Sequence, residues 1–177
     1  RKFWSLENLL RQPPIGKGWI YGYARYLSHF SVNLTDQQEL ARPTMKLASR
    51  KKELDQIEQL LTKSGKNNIL LVGEEGVGMD QLILDFAELI AKGRALPALN
   101  YRKVYDLNLS MVAGASKEIT DIQDLLVKIF NEAVKAGDVI LVLREFHNFI
   151  GEIKGLGRID VTEIVLPYLK SAGVQIV

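Results

Sequence analysis

Asn68-Ile69-Leu70-Leu71-Val72-Gly73-Glu74-Glu75-Gly76-Val77-Gly78-Met79-Asp80 is a short apolar run that breaks into a glycine-rich turn and then into a helical pattern. The run from Ile69 to Val72 is continuously apolar, as expected of a strand buried on both faces of a parallel sheet. Beyond the turn the period changes: Leu82, Leu84, Phe86, Leu89 and Ile90 predict a helix over 80–92. Strand, glycine turn and helix in that order form the frame in which backbone N–H groups at a helix start surround an anion.

The same alternation continues on either side. Leu54, Ile57, Leu60 and Leu61 recur at three- and four-residue spacing, a helix with Ser49 as its cap and Gly65 just past its end. A second strand is predicted over 103–109, a helix over 118–136, and after Gly137 the strongest strand pattern in the chain, Val139-Ile140-Leu141-Val142-Leu143. A further helix fits 161–171, and Val174-Gln175-Ile176-Val177 reads as a fourth strand. Strands alternating with helices predict an α/β fold, a parallel sheet with right-handed crossovers in a three-layer sandwich. Such sheets take ligands beyond their strand carboxyl ends. A strand at 174–177 would leave an apolar edge uncovered, which predicts that the polypeptide continues beyond Val177 and that the sheet is incomplete at its C-terminal end.

The spacing of the 73–80 turn fits the phosphate-cradling motif G-x-x-x-x-G-K-[ST], but its chemistry departs from it. That motif needs glycines for close backbone approach, a lysine to neutralise phosphate and a hydroxyl to bind magnesium. Here the lysine position is Met79 and the hydroxyl position is Asp80. Losing a cation about 4 Å from phosphate forfeits roughly 4 kcal/mol per charge pair at an effective dielectric near 20, and Asp80 adds repulsion. In ATPases of this kind an acid at the end of a buried strand helps hold the metal, and a neighbouring glutamate polarises water. This chain reads Val142-Leu143-Arg144-Glu145, so the metal-holding position is Arg144 and Glu145 is a catalytic remnant without a metal to serve. A nucleotide site with eight loop positions (Gly73, Glu74, Glu75, Gly76, Val77, Gly78, Met79 and Asp80) and Arg144 is therefore read as degenerate, with no catalytic residue and no metal. Since the counterparts of Asp80 and Arg144 both face magnesium, the two are expected to pair with each other in its place. The competing reading has Arg144 binding phosphate directly, with weak, metal-independent ATP or ADP binding. His147 is read as structural.

A chain of 177 residues that is 47% hydrophobic and 25% charged fits one globular domain with a sizeable core, plus an extension. It has no cysteine, which excludes disulfides and thiolate chemistry and agrees with a reducing, cytoplasmic setting. No run is apolar enough to span a bilayer. The formal +2 charge is uneven: Arg1, Lys2, Arg11, Lys17 and Arg25 against Glu7 give the first 30 residues a local +4. Half of the aromatics, Phe3, Trp4, Trp19, Tyr21, Tyr23, Tyr26 and Phe30, lie in the same stretch. With Pro13-Pro14 and Gly16-Lys17-Gly18 interrupting any helix, residues 1–40 are read as an irregular arm and 41–177 as the core domain. Three destinations for the arm stay open: its own domain, a protein partner, or a membrane surface touched by residues 1–30. Nucleic acid is not expected as a partner.

Several separated segments resemble the first AAA+ domain of Clp-type unfoldases. They are Leu34-Thr35, Ser49-Arg50-Lys51-Lys52-Glu53, Lys66-Asn67-Asn68, the 73–80 loop, Met111-Val112-Ala113-Gly114, and Arg144-Glu145-Phe146-His147. The resemblance spans roughly residues 30–177 and implies a P-loop NTPase fold of the AAA+ type that associates with itself or with other AAA+ subunits. It also implies a substrate-gripping aromatic after Gly114, where this chain has Ala115-Ser116-Lys117-Glu118-Ile119 and no aromatic. The family's sensor residue, arginine finger and helical lid have no counterpart in the sequence. The reading is a pseudo-ATPase, a domain with a structural, assembly or regulatory role in a protein-remodelling ATPase. A slowly hydrolysing ATPase domain is the alternative, and a docking module built on residues 1–30 a third.

Overall fold

The computed structural model describes residues 24–36, 50–63, 68–74, 76–100, 102–116, 118–144, 150–153, 157–170 and 175–177, with backbone alone for 119, 150–153 and 157–163. The elements in chain order are α1 (Arg25–Phe30), β1 (Ser31–Asn33), α2 (Lys51–Leu61), α3 (Met79–Ala91), β2 (Lys103–Leu107), α4 (Leu109–Gly114), α5 (Ile119–Ala136), β3 (Val139–Leu143), β4 (Ile150–Ile153), β5 (Gly157–Asp160), α6 (Val161–Lys170) and β6 (Gln175–Ile176).

One sheet organises the molecule, in the order β1-β2-β3-β6. β2 and β3 run parallel with Tyr105 opposite Leu141 and Leu107 opposite Leu143, and β6 runs parallel to β3 with Ile176 opposite Leu141. Side chains along these strands alternate between two faces. Val104, Ile140 and Val142 pack with Ile57 and Leu61 of α2 and with Phe86 and Ile90 of α3. Tyr105, Leu107, Val139, Leu141 and Ile176 pack on the other side with Leu27 and Phe30 of α1 and with Ile122, Leu126, Ile129 and Phe130 of α5. Helices on both faces of a mainly parallel sheet make the three-layer α/β sandwich the sequence predicts.

The helices begin and end for local reasons. α5 stops at Gly137, which adopts φ 74° and donates its N–H to Ala133 O at 3.2 Å, a left-handed cap that glycine takes without a Cβ penalty. The predicted 103–109 strand is shorter than expected because Asn108 caps α4, its Oδ1 accepting from Met111 N at 3.0 Å. α2 starts after Arg50; the cap expected at Ser49 lies outside the described residues.

Two expectations are corrected. The arm assigned to residues 1–40 does not extend that far: α1 and β1 belong to the core. β1 pairs antiparallel with β2, Ser31 opposite Leu107, and Leu27, Phe30 and Leu34 are buried. Burying such side chains stabilises by about 1.5–3 kcal/mol each, which holds a six-residue helix that is too short to persist alone. Residues 1–23 lie outside the described residues. The strand expected over 68–72 is instead an extended segment alongside β6, with Ile69 N donating to Ile176 O at 2.9 Å. Asn68 takes over part of the ladder, its Oδ1 accepting from Ile176 N and its Nδ2 donating to Leu169 O, both at 2.8 Å. Ile69 and Leu71 pack against the α2–α3 face, whereas Leu70 and Val72 are 83% and 85% exposed, so this segment is covered on one face only among the described residues.

Candidate functional site

The loop joining the 68–72 segment to α3 sits beyond the carboxyl ends of β2 and β3. Gly78 caps α3 at φ 81° and ψ 39°, a left-handed conformation that a side chain would strain, and its carbonyl receives the first helical bond from Leu82 N at 3.1 Å. Gly76 also has φ 81°, and Val77 N donates to Glu74 O at 3.2 Å, closing the turn. Arg50, just before α2, reaches the outside of the loop. Its Nη1 donates to Gly78 O at 3.0 Å and its Nη2 donates to Val77 O. Met79 folds back over the start of the loop: a β-carbon on Gly73 would come within 3.3 Å of Met79 Sδ.

Asp80 and Arg144 meet, as expected from their positions in the motif. Arg144 Nη1 donates to Asp80 Oδ1 at 2.9 Å. The Asp80 side chain is nevertheless 74% exposed. A second carboxylate completes the group: Arg144 Nε lies 3.0 Å from Asp106 Oδ2, a close charge contact rather than an aligned hydrogen bond. Asp106 lies near the end of β2, opposite Val142 in the sheet, and its side chain is only 19% exposed against 33% for Arg144. Burial holds the Asp106 carboxyl above the ordinary carboxylate range, Arg144 pulls it back down, and the charge of Asp80 pushes it up again.

The structure thus brings together Gly73, Gly76, Val77, Gly78, Met79, Asp80 and Arg144, with Glu74 exposed on the turn. Glu75, Glu145 and His147 lie outside the described residues. Asp106 and the clasp formed by Arg50 had no motif to announce them. Asp106 is 38 residues from Arg144 in sequence, and only the parallel pairing of β2 with β3 makes them neighbours. The antiparallel β4–β5 hairpin, Ile150 opposite Asp160, was likewise unmarked.

These residues do not fit a magnesium–nucleotide group. No cation extends from the loop, an acid stands at the hydroxyl position, and the guanidinium of Arg144 occupies both Asp80 and Asp106. Among the described residues no cluster of three or more metal-ligating side chains is present, and no helix is long and apolar enough to cross a membrane.

Layer order, parallel pairing and a glycine loop opening α3 define an α/β fold of the P-loop NTPase, AAA+ type. No protein-family model matches the chain. It is 32% identical over 149 residues to an ATP-dependent Clp protease ATP-binding subunit ClpA homolog from Cyanidium caldarium, covering 84% of this chain and 17% of that protein. It is 28% identical over 144 residues to the chaperone protein ClpB of Bacteroides thetaiotaomicron, covering 81% of this chain and 17% of that protein. Among solved structures, the S. cerevisiae Hsp104–ADP complex superposes with a TM-score of 0.71 at 23% identity, covering 86% of this chain and 26% of that one. The chain belongs with the Clp-type AAA+ domains of chaperone proteins and spans about a sixth of the length of the curated relatives it matches.

Proposed function

We propose that this Clp-type AAA+ domain works without nucleotide, as a pseudo-ATPase with a structural, assembly or regulatory role in a protein-remodelling assembly. The observation that carries the reading is Arg144 held between Asp80 and Asp106 at the end of β3, a built-in cation where the motif calls for a metal-binding acid. A triphosphate brought to this loop meets Glu74 and Asp80 with no lysine to offset them. The relatives named for ATP use belong to a family whose loop chemistry this chain has lost at Met79, Asp80 and Arg144. Its partners are other protein subunits.

Calorimetric titration of the chain with ATP and ADP, each with and without magnesium, tests the reading. Saturable binding is expected to be absent up to about 1 mM nucleotide, the level at which binding is worth only about 4 kcal/mol. Saturable, magnesium-dependent binding in the micromolar range overturns it.

A further inference from the structure

In a phosphate-cradling loop inward N–H groups converge on phosphate, and a bound metal ties the helix start to the neighbouring strand end. In this protein side chains reach the same parts of the loop from outside and beneath. Arg50 binds the carbonyls of Val77 and Gly78, two successive residues at the loop's exit. Arg144 ties Asp80, in the first turn of α3, to the sheet, and Asp106 anchors the same guanidinium on β2. Met79 lies over Gly73 at the loop's entrance. Arginine suits both tasks because its planar fork presents several donors in fixed geometry, so one side chain can span two acceptors.

We infer that the loop at residues 73–74 and 76–80 is fastened in one conformation by two of the chain's own arginines, Arg50 on its carbonyls and Arg144 through Asp80 and Asp106. Asp106 is the positioning residue of this clasp: it holds Arg144 at the carboxyl end of the sheet so that the guanidinium reaches Asp80. The inference rests on the nucleotide-independent reading for its purpose, but not for its geometry. It makes the domain a fixed member of an assembly, with a loop that needs no ligand to set its shape.

Hydrogen exchange on the 177-residue chain, read at the amides of Val77 and Leu82, whose N–H groups donate to Glu74 O and Gly78 O, with Leu126–Ala133 of α5 as internal reference, tests it. Without nucleotide, these two amides are expected to exchange at least about tenfold more slowly than an unstructured segment. Arg144→Met and Arg50→Ala are each expected to speed exchange there by about tenfold while α5 is unchanged. A loop that exchanges as an unstructured segment in the unsubstituted protein overturns the clasp, as does one that neither substitution alters. If Arg144→Met also releases α5, the molecule has unfolded and Arg50→Ala decides: faster loop exchange with α5 intact supports the clasp, and unchanged exchange overturns it. Protection that appears only on adding Mg–ATP overturns both the clasp and the nucleotide-independent reading. Protection present without nucleotide and lost in both variants supports the clasp even if calorimetry detects nucleotide, which then counts against the functional reading alone.

Discussion

Arg144 serves two carboxylates that differ in their access to water. The pair with Asp80, whose side chain is 74% exposed, resembles a surface ion pair and contributes about 0.2–1 kcal/mol. Asp106 is mostly enclosed, so removing its cation leaves a partly buried charge without compensation. Arg144→Met is therefore expected to cost about 1–3 kcal/mol at neutral pH, less than the 3–5 kcal/mol typical of a fully buried pair. The loss should depend on pH with a definite sign. A carboxyl whose folded pKa is raised binds protons more readily in the native state, so its contribution is fully present below the unfolded value of about 3.9 and is lost as pH rises through the raised value. Without Arg144 that window widens upward, and the variant should regain stability relative to the unsubstituted protein as pH falls from neutral through the raised value. Urea unfolding at successive pH values checks this; a loss under about 0.5 kcal/mol, or one that does not shrink with acid, contradicts it.

At the level of elements, α1 depends on a neighbour for its start. Its N-terminal amides have no side-chain cap from Ala24, and Glu132 of α5 supplies one, with Oε2 accepting from Leu27 N at 2.8 Å. Glu132→Ala should destabilise by about 1 kcal/mol, as loss of a local cap does, and Glu132→Gln by less because the acceptor is kept; thermal or urea melts compare them. This tertiary cap also explains why α1 was not legible in the sequence. A six-residue helix carries too few turns to show a period, and the three residues of β1 are too few to show alternation. α2, α3 and α5 were readable because their apolar stripes run for 11 to 18 residues. β3 was readable because all five of its residues are apolar. The same composition misled over 68–72: an apolar run announces an extended segment but not how many of its faces are covered, and Leu70 and Val72 are exposed. The motif frame singled out Met79, Asp80 and Arg144 by position, whereas Asp106 needed the strand order.

At the scale of the whole molecule, the described residues form two apolar layers that share the four-stranded sheet. Val104 and Ile140 close one side of β2 and β3, Tyr105 and Leu141 the other, so neither layer of helices can leave without exposing the backs of the same strands. That arrangement predicts one cooperative unit spanning α1 to β6. Ile90 of α3 and Ile129 of α5 are both buried, each in a different layer. Ile90→Val and Ile129→Val should each cost about 1 kcal/mol, the usual consequence of deleting one buried methyl group. Their combined loss of about 2 kcal/mol leaves a margin within the 5–15 kcal/mol typical of a domain. Because the sheet separates the two side chains and they share no contact, the double variant should equal the sum of the singles to within about 0.5 kcal/mol. Urea unfolding followed by far-UV circular dichroism should show a single transition in all four proteins, with slope unchanged and midpoint lowered in step. A second transition in either single variant, or a double variant no less stable than the weaker single, would mean that the layers unfold separately and that the sheet does not bind them into one unit.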